Sequence, residues 1–479
     1  MFNAAHFVSC KNLPTNPKEN PMQENFKLCA IAILLSTFFC VSIQADTIKS
    51  ERAFIKATGL VQISNVQATQ PSLGRSIIIR DQTFSEVTPL ANNDSRIYPF
   101  EINVADSDIA DLKRRLANTR IPDQILGTSW EYGTDVKYLQ ELLEYWENDF
   151  DWKRQEAELN AFDQFTTEVE GLAMHFIHQR SENPDAIPLM VVHGWPGSVS
   201  EFSKIIGPLT DPESHGSSSE HSFHVIAPSL PGFGFSEIPT DRGYSPEKIA
   251  HILAALMDKL GYEQYAIAGG DWGAIINRYL AHNYPERLIG LHSNMILAGA
   301  PDDEEQRANV TPEETAARTA RGSYMQNEVA YQRIQGTKPQ TLGYGLNDSP
   351  SGLAAWIVEK FHGWTDMPQG AEGDLDQYFT KDELLTNIAI YWFTNTITSS
   401  TRIYYENGKN PVENPLTYIN VPTGAAIFPA EIFITPRAWA AAAYDLRHWT
   451  VMSEGGHFAA LEKPNLYLND LRKFFGLLR

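Results

Sequence analysis

The run Tyr265-Ala266-Ile267-Ala268-Gly269-Gly270-Asp271-Trp272-Gly273 constrains this chain more than any other segment. Its first residues suit a short buried strand, and Trp272 to Asn283 has helical spacing. Small residues on both sides of Asp271 let strand and helix cross closely at a strained turn, so the central side chain is thrust outward as a nucleophile would be. A serine there would attack a substrate carbonyl. A carboxylate is better suited to displacing a leaving group from a saturated carbon, which makes an ester that must then be hydrolysed at the aspartate's own carbonyl. A Gly-rich strand end with an Asp also occurs in nucleotide-binding folds, where the acid holds a metal or a ribose. The segment alone leaves both readings open.

The surrounding pattern predicts an α/β fold. Strands are expected at Pro188–Val192, Phe223–Ala227, Tyr265–Ala268 and Leu288–His292, with helices at Pro246–Leu260 and Trp272–Asn283. Short apolar strands separated by helices imply a mostly parallel sheet covered on both faces. Residues 297–415 interrupt the rhythm with helical runs at Glu313–Thr337, Gly352–Lys360 and Lys381–Thr398, and read as a helical lid. The sheet pattern resumes at Pro422–Phe428 and His448–Met452, so 183–296 and 416–479 form the core. Upstream, a strand at Ile97–Val104, helices at Asp106–Thr119 and Thr134–Asn148, and strands around Phe165, Val169 and Leu172–Ile177 suggest a small amino-terminal domain or collar over 96–182. Its first helix carries acids at its start and Lys113, Arg114 and Arg115 towards its end, as the helix dipole favours.

Two further loops belong with Asp271. Val192-His193-Gly194-Trp195-Pro196-Gly197-Ser198 follows an early strand, where such folds place one oxyanion N–H; the residue after the nucleophile supplies the other. Trp195 and Trp272 are the candidates, with His193, Gly194 and Pro196 as the supporting loop and His193 a loop-ordering residue rather than the base. Near the end, Glu454-Gly455-Gly456-His457-Phe458 follows the last strand, and His457 is the expected base. The orienting acid should follow the preceding strand; Glu431 is there, and Asp445 is its rival. Ser198 and Ser200 do not sit in an elbow, which argues against a serine esterase.

Charge and cysteines limit the partners. Thirty-eight Lys and Arg against 59 Asp and Glu give −21, which disfavours nucleic acid and anionic membrane surfaces and is otherwise explained by solubility alone. Cys10, Cys29 and Cys40 all lie at the amino end, so thiolate metal sites and a cysteine nucleophile are not expected. Leu28–Val41 is an uncharged apolar run preceded by Lys27 and followed by Ser42-Ile43-Gln44-Ala45, the pattern of a secretory signal. Met22 is a plausible true start, and residues 1–45 read as a leader. The expectation is export, periplasmic or secreted; the alternative is a membrane anchor over 28–43. Residues 46–95 read as a linker or surface extension.

Together HGWPGS, PSLPGFGFSEIP, GGDWG, GLHSNM, QGTKPQTLGYGLNDSPSGLAAWIVEKF, LLTNIAIYWFTNTITSS, VPTGAAIFPAEIF and EGGHFAALEKP are highly specific. With IYPFEINVADSDIADLKRRLANTR they make the chain resemble, over 96–479, the epoxide hydrolases of the alpha/beta-hydrolase superfamily, in the microsomal-type branch with an amino-terminal extension. The resemblance implies an alpha/beta-hydrolase fold with a helical lid. It implies opening of an epoxide to a vicinal diol through an Asp271 hydroxyalkyl ester, with no metal or organic cofactor. It also implies two lid tyrosines that grip the epoxide oxygen, matched to Tyr331 before the QGTKP segment and Tyr391 in IAIYWF; Tyr324 is at the wrong distance. Haloalkane dehalogenases share the Asp–acid–His logic but need halide donors in place of the tyrosines. Trp356, Trp364 and Trp392 suggest an apolar substrate, and the expected partners are a small apolar epoxide and water, with a homo-oligomer left open. The branch usually carries an amino-terminal membrane span, and the signal-like leader departs from it.

Overall fold

In the computed structural model, which describes residues 96–217, 221–368, 374–409 and 416–479, the strands join one nine-stranded sheet. They are β1 (Tyr98–Pro99), β2 (Gln164–Val169), β3 (Leu172–Gln179), β4 (Ile187–Val192), β5 (Phe223–Pro228), β6 (Tyr265–Gly269), β7 (Leu288–Ser293), β8 (Ile419–Ile427) and β9 (Tyr444–Val451). The order is β1-β2-β3-β5-β4-β6-β7-β8-β9. Pairing is antiparallel from β1 through β3 to β5 and parallel from β5 onward. This is the alpha/beta-hydrolase arrangement, with Asp271 just past the carboxyl end of central strand β6.

Period-two alternation builds the two cores. Leu189 and Val191 of β4 pack on one face with Phe202, Leu471 and Phe474, while Met190 and Val192 pack on the other with Ile252, Leu256 and Ile276. The helix Pro464–Gly476 closes the first face, and Phe474 enters the gap left by Gly424, where a Cβ would lie 2.6 Å from the Phe474 ring. Phe474 is fully buried, so Phe474→Ala should cost about 3–5 kcal/mol, read as a lower midpoint in urea unfolding at unchanged slope.

Several expectations change. The Ile97–Val104 strand shrinks to Tyr98–Pro99; beyond it Ile102 and Val104 donate to the side chains of Asn160 and Glu156 instead of to a strand. The region 96–182 does not form its own sheet, because β3 pairs directly with β5 of the core. A helix at Trp152–Leu159 joins it, capped by Asp151. In the lid, the single run over Glu313–Thr337 divides into Pro312–Glu328 and Ala330–Gln335, with Val329 at the junction. The run over Lys381–Thr398 ends at Thr394, because Asn395 adopts a left-handed φ of 56° that caps it, and a separate helix Ile397–Lys409 follows. All the described residues fall within one compact unit. Among them no helix is long and apolar enough to cross a membrane. Leu28–Val41, the three cysteines and the 46–95 extension lie outside the described residues.

Candidate active site

Asp271 is held at φ 46°, a left-handed conformation that a non-glycine residue adopts only when its surroundings impose it. Those surroundings are close: a Cβ at Gly273 would overlap the Val192 carbonyl, and one at Gly194 would overlap the Asp271 carboxylate itself. The small residues around Asp271 therefore let β6, its helix and the β4 loop approach within backbone contact. The Trp195 N–H donates to Asp271 Oδ1 at 2.8 Å. Trp272 lies in the first turn of the helix Asp271–Asn283, whose N–H groups have no partner within the helix.

The loop that carries Trp195 is fixed from several sides. The Leu230 N–H donates to His193 Nε2 at 3.3 Å, so His193 Nδ1 carries the proton donated to the Gly194 carbonyl at 3.0 Å. Burial pulls His193 down to about 4, so it stays neutral in that role. The Trp195–Pro196 peptide is cis. From the lid, Asn387 donates to the Pro196 carbonyl at 2.7 Å and Tyr391 to the Gly197 carbonyl at 2.6 Å.

His457 Nε2 stands 3.3 Å from Asp271 Oδ2, and its Nδ1 is 2.6 Å from Glu431 Oε1. The β8 and β9 loops are brought together by a parallel bridge between Ala430 and Gly456, so Glu431 and His457 are set by paired backbones. The Ile432 N–H also donates to Glu431 Oε1 at 2.6 Å. Trp364 accepts the His457 N–H at its carbonyl, 2.9 Å, and sets its ring edge-on to the imidazole. Burial pulls the imidazole down, but Glu431 and Asp271 outweigh it and carry His457 up to about 10. Asp445, the rival acid, pairs instead with Arg447 at 2.6 Å.

The lid supplies two tyrosines, and one differs from expectation. Tyr331 is buried with its ring against Trp195 and Trp364. Its ring meets that of Tyr404, from the helix Ile397–Lys409, edge-on at 5.9 Å, and the Tyr404 ring stands edge-on to Trp272 at 4.7 Å. Burial raises both hydroxyls, and the nearby Asp271 charge adds to it. Tyr391 also feels Asp271, but its hydroxyl is committed to the Gly197 carbonyl. The structure thus pairs Tyr331 with Tyr404 where the sequence had suggested Tyr391. Trp364 is fully buried against the site, whereas Trp356 donates to Gln335 at 2.9 Å and Trp392 lies under the Arg115 guanidinium. Among the described residues no three His, Cys, Asp or Glu side chains converge as a metal would require.

Comparisons with known proteins agree with this geometry. Residues 97–202 match the family described as epoxide hydrolase N terminus, and 187–327 match the alpha/beta hydrolase fold. Epoxide hydrolase 1 of Sus scrofa is 40% identical over 417 residues, covering 81% of this chain and 91% of the relative. The crystal structure of juvenile hormone epoxide hydrolase from the silkworm Bombyx mori superposes with a TM-score of 0.74 at 33% identity, over 81% of this chain and 95% of the other. The Aspergillus niger epoxide hydrolase structure gives a TM-score of 0.71 at 31% identity, over 80% of this chain and 97% of the other.

Proposed function

Since the chain belongs to the epoxide hydrolases of the alpha/beta hydrolase fold, we propose that it opens a small apolar epoxide to a vicinal diol in two covalent steps at Asp271. The observation that carries the reading is the placement of one carboxylate at a strained elbow, touched by the Trp195 N–H on one oxygen and His457 on the other. Asp271 attacks a ring carbon, the ring C–O bond breaks, and a hydroxyalkyl ester forms. Tyr331 and Tyr404 donate to the ring oxygen as its charge develops, and one of them transfers its proton to the alkoxide. Their aromatic surroundings, Trp195, Trp272 and Trp364, favour an apolar substrate.

Alkylation then changes His457. In the free enzyme it lies between two carboxylates, which hold its proton. Esterification removes the Asp271 charge and the imidazole pKa falls; His457 passes its proton to the tyrosinate, restoring the tyrosine, and the neutral imidazole becomes a base for water. Water adds to the Asp271 carbonyl carbon, with the oxyanion facing the N–H groups of Trp195 and Trp272. The ester bond breaks, the leaving alkoxide takes the proton of the new carboxyl, and His457 keeps the proton it took from water, which returns it to its state in the free enzyme.

A single turnover in ¹⁸O-water with enzyme in excess tests this. The label should appear in Asp271 and not in the first diol released. Label in that diol would mean direct attack by water and would end the covalent reading.

A further inference from the structure

Glu201 takes no part in the steps above, yet its carboxyl interacts electrostatically with His457, Asp271 and Glu431 together. It sits on the 3-10 turn Val199–Phe202, directly after the loop carrying Trp195, and Ser198 caps that turn through the Ser200 N–H. Phe202 pins the turn into the core. The carboxyl folds back on the loop so closely that a Cβ at Gly197 would lie 2.5 Å from Glu201 Oε2. Ser198, Val199, Ser200 and Phe202 are buried, while Glu201 itself is half-buried and keeps partial accessibility. None of the described residues hydrogen-bonds to its carboxyl. Two buried neighbours in the same field, Glu431 Oε2 and the Tyr467 hydroxyl, also lack a partner among the described residues. Buried polar groups of this kind are normally satisfied by ordered water.

Building on the covalent reading above, we propose that Glu201 is the positioning residue for the hydrolytic water, accepting its second hydrogen while His457 takes the first. With both hydrogens directed away, a lone pair of the water oxygen points at the Asp271 ester carbon. One bond forms between that oxygen and the carbonyl carbon, and the bond to the substrate oxygen breaks. Glu201 keeps its own proton throughout. Burial pushes its carboxyl up to about 8, with His457 opposing and Asp271 and Glu431 adding to the rise. A neutral acceptor suits the position, because a further full negative charge would oppose the oxyanion forming beside it. Epoxide opening needs no water, so Glu201 should serve only the second step.

Rapid-quench single turnovers with styrene oxide separate the steps. In Glu201→Leu, ester formation should stay within about 3-fold of wild type while ester hydrolysis slows by about 30-fold or more, so that the ester accumulates. Glu201→Gln keeps a neutral carbonyl acceptor and should hydrolyse the ester within about 5-fold of wild type. Glu201→Ala, which leaves the loop its space, is the second variant should the leucine prevent folding, and the same split is expected of it. Equal loss in both steps, or an ester hydrolysed at the wild-type rate in the leucine or alanine protein, overturns the role of Glu201 and leaves the covalent reading intact. Diol production by the wild type with no ester at any time overturns both.

Discussion

A His457→Gln variant mixed with a small aryl epoxide should gain the mass of one epoxide molecule on the peptide that carries Asp271, and should keep it. Glutamine retains size and a polar end but cannot take a proton from water, so ring opening proceeds and deacylation stops. General bases of this kind contribute about 10²–10⁴-fold, and the upper part of that range is expected because an ester at Asp271 would lie among the aromatic rings of Trp195, Tyr331 and Trp364. Intact-mass spectra followed over hours give the rate of loss. In the wild type, ester hydrolysis should rise with pH as His457 loses its proton, through an apparent pKa below the value of about 10 it has in the free enzyme. The sign follows from charge: the ester removes the carboxylate at Asp271 that had helped hold the proton, and Glu431 remains. A profile that falls with pH over the same range would show that His457 acts as an acid in the slow step. Absence of any adduct, with the wild type active on the same epoxide, would remove Asp271 as nucleophile.

The parts of this site legible in the sequence are those whose chemistry depends on backbone geometry. Asp271, Trp195 and His457 follow strand ends, and their loops are marked by glycines where a side chain would collide: Gly194 against Asp271, Gly273 against Val192, Gly456 against Trp364. Such glycines are read without knowing the fold. Glu431 follows from the same logic, because it lies just after a strand, and the structure separates it from Asp445, since His457 Nδ1 lies 2.6 Å from Glu431 while Asp445 pairs with Arg447. The lid is different. Helices there are placed by packing against one another, and the break at Val329 leaves no gap in the run of helix-forming residues. The helix Ile397–Lys409 buries Ser400, Thr401 and Tyr404 alongside Ile397 and Ile403. A hydroxylated face gives a weak hydropathy signal, so nothing in the hydropathy pattern marks Tyr404, and Tyr391 too enters only through the resemblance, matched to IAIYWF. The signal that could have found Tyr404 was the left-handed preference of Asn395, which ends the helix at Thr394 instead of Thr398 and lets a separate helix begin at Ile397.

That difference carries the second large effect. Tyr331→Phe and Tyr404→Phe should each slow ester formation by about 10²-fold or more, the usual cost of losing one donor to a developing oxyanion. The double variant should form no detectable ester, because the ring oxygen would then leave as an unprotonated alkoxide in an aromatic enclosure. The two losses should not simply add, since the two rings pack against each other and either hydroxyl can partly serve alone. Hydrolysis of ester already formed should change much less, since that step uses Glu431 and His457. Tyr391→Phe provides the contrast. Its hydroxyl holds the Gly197 carbonyl, so its loss should loosen the loop bearing Trp195 and slow both steps by less than about 10-fold. Rapid-quench rates with a single epoxide distinguish these patterns. If Tyr391→Phe abolishes ring opening while Tyr404→Phe leaves it near the wild-type rate, the lid must rearrange on binding. The tyrosine that meets the epoxide would then be the one on the helix Lys381–Thr394.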